Sequence, residues 1–194
     1  VIKKPDVKLE YDDKTHSYFI DGRKVPSVTG IVGAVLPIKF VVDEWYLQRG
    51  KAVHEAVELL LAGCLDPATV DPEIMGYVEQ AQAARVALGI VPKMTETFVC
   101  DPVRMYAGRF DALDVHHRLW DWKTGSVHAA AEIQLGGYAW LIETDLGIKV
   151  RECGAIRLNR TSWSIEKYDV RRARGLFMAC LSIYGFLYQG RVGK

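Results

Sequence analysis

The sequence predicts one α/β domain. Segments of strand period and segments of helix period alternate along its whole length. No internal repeat, low-complexity run or linker divides them, which favours a single layered core. With 194 residues, 49% apolar and 25% charged, the chain can bury that core without disulfide staples.

Composition narrows function by exclusion. A formal net charge of +1 rules out a histone-like polycation, yet a basic groove can sit on a neutral protein, so nucleic-acid binding stays open. No apolar run reaches the roughly 20 residues a membrane-spanning helix needs. The N-terminus has no signal-peptide pattern, and the chain begins at Val1 rather than Met, which points to a few missing native residues. Cys64, Cys100, Cys153 and Cys180 lie far apart with no Cys-x-x-Cys pair, as scattered buried thiols of a reducing compartment do. A cytoplasmic protein without a membrane partner is expected.

The elements follow in order. Residues 7–11 and 16–20 alternate in polarity around Asp12-Asp13-Lys14-Thr15, which predicts an N-terminal β-hairpin, with a second turn at Asp21-Gly22. Pro26-Ser27-Val28-Thr29 breaks the strand, and Ser27 is placed to cap a short apolar helix through Val35, stopped by Leu36-Pro37. Over residues 42–62, Trp45, Val53, Val57, Leu60 and Leu61 recur at helical spacing, with Gly63 as the stop. Gly50 costs on the order of 1 kcal/mol there relative to alanine. It implies either a break between two helices or the close approach of another backbone. Asp66-Pro67 and Asp71-Pro72 bracket a loop, and a helix follows over 72–88, ended by Gly89. Residues 94–100 read as a strand. Residues 106–140 then read as strand, tight turn, strand and helix, the helix ending near Glu143. A strand pair at 155–158 and 163–168 leads into a last helix over 170–188, with Leu176, Cys180, Ile183 and Leu187 on one stripe.

The stretch 106–140 carries the chemistry. Side chains alternate along a strand, so Arg109, Asp111 and Leu113 share one face, and Leu119, Asp121 and Lys123 share another. A two-residue turn at His116-His117 would set Asp111 against Trp122. A three-residue turn at Val115-His116-His117 would set it against Asp121, and that register is the one predicted. Facing carboxylates repel unless something cationic lies between them, and hard oxygen ligands suit Mg²⁺ or Mn²⁺. Lys123 sits two residues on, about 7 Å along the same face. From there its ammonium could neutralise a phosphate or handle the attacking water; a solvated edge lysine is the bland alternative. Gln134 and Tyr138 are i, i+4 neighbours on the next helix, with Gly136 and Gly137 between them expected to pack closely against the sheet. His54 has Glu58 as its own i+4 neighbour, so ligation and a structural hydrogen bond both remain open. Arg171, Arg172 and Arg174 cluster at the start of the last helix, against the sign its dipole favours. Arg157 and Arg160 are weaker candidates for a phosphate contact. Trp45, Trp120 and Trp122 could stack on bases, although core packing is the commoner fate of tryptophan.

Taken together, Gly50…His54-Glu55, Gly108-Arg109-Phe110-Asp111, Asp121-Trp122-Lys123 and Gln134…Tyr138 resemble the PD-(D/E)xK nuclease superfamily, in its RecB-like and phage-type exonuclease branch. Motif order and rough spacing match over about residues 16–143, and the upstream Pro26-Ser27-Val28-Thr29 also fits. The resemblance implies a restriction-endonuclease-like core, a mixed central sheet flanked by helices, here with the N-terminal β-hairpin added. It implies a divalent metal, Mg²⁺ or Mn²⁺, on His54, Asp111, Asp121 and the Trp122 carbonyl. Lys123, Asp111 and Asp121 would be catalytic, and Gln134 and Tyr138 would hold the substrate strand. The implied reaction is hydrolysis of a DNA phosphodiester by an activated water, in phage or mobile-element recombination or repair within a bacterial cytoplasm. A recombination or strand-annealing protein is an implied partner, and ring-shaped oligomers occur in the superfamily. The downstream cysteines depart from the iron–sulfur branch, so no cluster is expected, and no G-x-x-x-x-G-K-[ST] helicase motif is present. An endonuclease, or an inactive nucleic-acid-binding module on the same fold, are the competing readings. The intact His54, Asp111, Asp121 and Lys123 set argues against the inactive one.

Overall fold

A computed structural model of the chain describes residues 7–36, 44–125 and 129–189. The N-terminal hairpin is present and gains a third strand: β1 (Leu9–Asp12), β2 (Ser17–Ile20) and β3 (Arg23–Val25) form a small antiparallel sheet. Ser27 caps α1 (Val28–Val35) as expected, its Oγ accepting from Gly30 N at 2.9 Å. The expected stop at Pro37 and helix start at Val42 lie outside the described residues. Helix α2 (Glu44–Ala62) runs unbroken through Gly50. The break is therefore not there, and among the described residues no other backbone comes close either: a β-carbon at Gly50 would meet only the Thr124 side chain, its Oγ1 at an ordinary contact distance of 3.4 Å. Pro67–Thr69 forms a short 3₁₀ turn before α3 (Pro72–Ala87).

The central sheet follows: β4 (Pro92–Asp101), β5 (Tyr106–Asp114) and β6 (Arg118–Lys123), then helix α4 (Ala129–Leu146), then β7 (Glu152–Leu158) and β8 (Trp163–Tyr168). Strand order is β4-β5-β6-β7-β8, antiparallel throughout except for the parallel pair β6 and β7. A parallel pair needs a long crossover, and α4 supplies it. The last helix is α5 (Val170–Tyr184), continued by a π-helical turn over Gly185–Gln189. This is the expected mixed sheet flanked by helices, consistent with a restriction-endonuclease-like core.

Two apolar clusters place the layers. Leu113, Leu119 and Ala155 pack with Ile31, Leu135, Leu141 and Phe177 of α1, α4 and α5. Ala112, Trp120, Trp122 and Ile156 pack with Val53, Val57, Val78 and Ala81 of α2 and α3. Trp120 and Trp122 are buried, each contributing roughly 1.5–3 kcal/mol or more by its apolar area. That takes both out of consideration as base-stacking residues.

Three expectations change. Gly136 and Gly137 serve helix contacts rather than the sheet: a β-carbon at Gly136 would fall 2.0 Å from the Ala173 carbonyl of α5, and one at Gly137 would meet Phe177 and Val28 at 2.7–2.8 Å. Helix α5 buries Ala173, Phe177 and Cys180, while Ile183 is exposed; the seat is set by this glycine notch, not by the widest apolar stripe. Cys100, Cys153 and Cys180 are buried free thiols, but Cys64 is exposed, because it follows the end of α2. Among the described residues no helix is long and apolar enough to cross a membrane.

Candidate metal centre

The hairpin between β5 and β6 sets the site's geometry. Its loop is Val115-His116-His117, with His117 in the left-handed region at φ +61°. That is the three-residue hairpin geometry. Buried Asp114 holds it: Oδ1 accepts from His116 N and Arg118 N, both at 2.9 Å, and Oδ2 from Arg118 Nε at 2.6 Å and Trp120 Nε1 at 3.1 Å. The resulting pairs are Leu113 with Leu119 and Ala112 with Trp120. Continued by one residue, this register sets Asp111 across from Asp121, as predicted.

Beyond Ala112 the ladder gives way to side-chain bonding. Asp111 Oδ2 accepts the Trp122 N–H at 2.8 Å and has His54 Nδ1 at 3.5 Å. His54 therefore faces Asp111 across the gap between α2 and the sheet. On the other flank of β5, Glu96 interrupts β4 with φ +42°. Thr95 and Thr97 pair with Ala112 and Phe110, so Glu96 falls opposite Asp111. A glutamate in the left-handed region costs on the order of 1–3 kcal/mol and persists where surroundings over-determine it. Ligand atoms of His54, Glu96 and Asp111 all lie within 4.8 Å of one another. A cavity of about 230 Å³ opens onto His54, Glu96 and Arg109.

Asp121 and Lys123 form the adjoining half. The Lys123 ammonium lies 3.0 Å from Asp121 Oδ1 and 2.8 Å from Oδ2. It also donates to Gln134 Oε1 at 3.3 Å, and Gln134 Nε2 donates to the Tyr138 hydroxyl at 3.3 Å. Tyr138 is buried, and its ring lies 2.7 Å from where a β-carbon at Gly108 would sit. The glycine of the Gly-x-x-Asp motif is thus the seat of the tyrosine of the Gln-x-x-x-Tyr motif. Val28, from the Pro-Ser-Val-Thr stretch, closes the same contact at 3.2 Å.

The site gathers carboxyls whose pKa values burial and like charge raise. Burial pushes the Glu96 carboxyl up to about 8, with Asp111 adding to the shift and Arg109, 2.9 Å away, opposing it. Burial likewise raises Asp121 to about 6 against the pull of Lys123. For Lys123 burial works against the ammonium, but Asp121 and Asp111 outweigh it and its pKa rises, so it is a charged group rather than a free base at neutral pH. Burial holds the Tyr138 hydroxyl well above its ordinary pKa, so it stays protonated. The donor set of one imidazole and hard carboxylate oxygens fits a divalent cation. Asp121 Oδ2 supports the fit, being buried with no hydrogen bond of good geometry beyond its ion pair.

Solved structures overlap this fold only loosely. The crystal structure of SSO0001 aligns at 14% identity with a TM-score of 0.40, covering 82% of this chain and 75% of the other. The alkaline exonuclease LHK-Exo from Laribacter hongkongensis aligns at 12% identity and 0.40, covering 84% and 91%. Its complex with dAMP aligns at 13% and 0.38, covering 86% and 92%. By sequence, the chain matches no protein-family model and no curated protein. The site's own residues, rather than these distant likenesses, carry the functional reading.

Glu96 is the residue sequence reasoning passed over. Its signal was available: it is the sole carboxylate between Pro92 and Cys100, in a strand of Thr, Phe and Val. The arginine cluster of α5 lies elsewhere. Arg172 faces Glu132 at 3.5 Å and Arg174 pairs with Glu143, while Arg171 lines an 820 Å³ hollow with Lys149 and Arg151. Arg151 precedes β7, whose first residue pairs with the first of β6, so that hollow lies at the opposite strand end from Lys123.

Proposed function

We propose that the chain is a divalent-metal-dependent deoxyribonuclease, acting as an exonuclease. The observation carrying this reading is the convergence of His54, Glu96 and Asp111 ligand atoms within 4.8 Å, beside an Asp121–Lys123 ion pair. His54, Asp111 and Glu96 would hold Mg²⁺ or Mn²⁺, with Asp121 and the Trp122 carbonyl completing the set. When bound, such an ion polarises the scissile phosphate and lowers the pKa of a coordinated water. The protein's own contribution is positional. The Trp122 N–H fixes one oxygen of Asp111, and Gln134, steadied by Tyr138, fixes the Lys123 ammonium. From that place Lys123 neutralises charge developing on the phosphate under attack. Being held protonated by Asp121, it serves as a charge and proton donor and not as the base that activates water. Gln134 is the residue of the pair that reaches the substrate strand; Tyr138 acts through it. The setting proposed with this chemistry is phage or mobile-element DNA recombination and repair in a bacterial cytoplasm.

The test uses end-labelled linear and closed circular DNA with Mg²⁺ or Mn²⁺, comparing the wild type with Asp121→Ala and Lys123→Ala. Metal-dependent loss of label from the linear DNA alone is expected, with both variants reduced by about 10²-fold or more. Cleavage of the circle would replace exonuclease by endonuclease. No metal-dependent cleavage of either DNA refutes the enzyme.

A further inference from the structure

The buried stripe of α2 is Val53, Ala56, Val57 and Leu61. Its first turn points elsewhere: Trp45, Tyr46 and Leu47 are 48%, 52% and 61% exposed. Apolar side chains of this size grouped on a surface make a candidate docking face. The rings are held in place. The Arg49 guanidinium lies over Trp45 at 4.8 Å, Tyr46 at 5.0 Å and Tyr77 at 5.1 Å, and Trp45 meets Tyr46 edge-on at 5.0 Å. Arg49 also reaches the site, its Nη2 donating to the Thr124 carbonyl at 3.4 Å, one residue past Lys123. Among the described residues no carboxylate pairs with it, and its Nε is buried without a hydrogen bond. This turn of α2 lies beside Thr124, whose Oγ1 would stand 3.4 Å from a β-carbon at Gly50. His54 follows Arg49 by five residues, about 7.5 Å along the helix axis.

We propose that Trp45, Tyr46 and Arg49 form a platform on which the unpaired bases of a DNA strand stack as it enters the metal centre, making a single-stranded end the substrate. This rests on the nuclease reading. Within a duplex the bases are already stacked and only the terminal pair shows a face to protruding rings, whereas every unpaired base has one, and an arginine with no carboxylate partner among the described residues takes the intervening phosphate. The platform leads to the Lys123–Thr124 turn, where the strand would be cut.

Binding is measured without metal, so that hydrolysis plays no part, using a short fluorescein-labelled oligothymidylate and a blunt duplex of equal length. Trp45→Ala/Tyr46→Ala should weaken oligothymidylate binding about 10- to 100-fold, the loss of one to two stacked bases, and affect the blunt duplex far less. Trp45→Phe should retain binding, since phenylalanine still stacks, yet lose the quenching of tryptophan fluorescence that the oligonucleotide causes in the wild type. A purely structural role would not give that separation. Unchanged oligothymidylate affinity in the double variant overturns the platform, and if the wild type still cleaves DNA with Mg²⁺ the nuclease reading survives. Platform-dependent binding by a wild type that never cleaves would support the platform and remove the nuclease.

Discussion

Replacing Glu96 by glutamine isolates the cost of assembling carboxylates at this centre. In the folded protein the Glu96 carboxyl titrates near 8 instead of 4.5, chiefly through burial and then through Asp111. The sign follows from proton counting. Between those values the folded state keeps a proton that the unfolded chain has released, so stability falls as pH rises. The contribution is fully present below about 4.5 and lost by about 8. Asp121 adds the same sign, but only up to about 6, so the interval from about 6 to about 8 reports Glu96. One proton there corresponds to a slope of at most about 1.4 kcal/mol per pH unit. Glutamine cannot ionise, so Glu96→Gln should flatten this interval and be more stable than the wild type near its upper end when metal is absent. Saturating Mg²⁺ should invert the order: a ligand at a hundredfold its Kd stabilises by about 2.7 kcal/mol, and the variant lacks one donor. Urea denaturation across this range, with chelator and then with Mg²⁺, reads both effects. Equal pH slopes in variant and wild type, or equal Mg²⁺ stabilisation, would refute the place given to Glu96.

Two further outcomes test the framework around the site. Gly108→Ala puts a β-carbon 2.7 Å from the Tyr138 ring and 3.2 Å from Val28, and overpacking of this kind costs roughly 1–3 kcal/mol; a denaturation midpoint unchanged from wild type would contradict the contact. Asp114→Asn leaves the Arg118 guanidinium, only 17% exposed, without its counter-charge, and a broken buried pair costs about 3–5 kcal/mol. A loss under about 1 kcal/mol would show that Asp114 does not hold the hairpin register.

How much of this was legible beforehand depends on the range of the interaction. The hairpin register was readable because it is local: a three-residue loop and strict alternation decide which side chains face each other, and the pairs Leu113–Leu119 and Ala112–Trp120 are those of the expected register. The Ser27 cap and the glycine stops were readable for the same reason. Gly136 and Gly137 announced close packing, but α5 lies far along the chain, and only the fold shows that the Ala173 carbonyl fills the notch. Trp45 and Trp122 look alike in sequence; one begins a helix on the surface and the other lies under α2 and α3.

By itself, then, the sequence determined the order of strands and helices, the face-sharing of Asp121 and Lys123, and the pairing of Gln134 with Tyr138. Each of these follows from backbone periodicity within a few residues. Tertiary structure alone decided that His54 meets Asp111 and not Glu58, that Lys123 is tied through Gln134 to Tyr138, and that a strained Glu96 joins the cluster. Those choices depend on which strand edge and which helix face come within a few ångströms after folding, and burial then shifts the carboxyls they bring together.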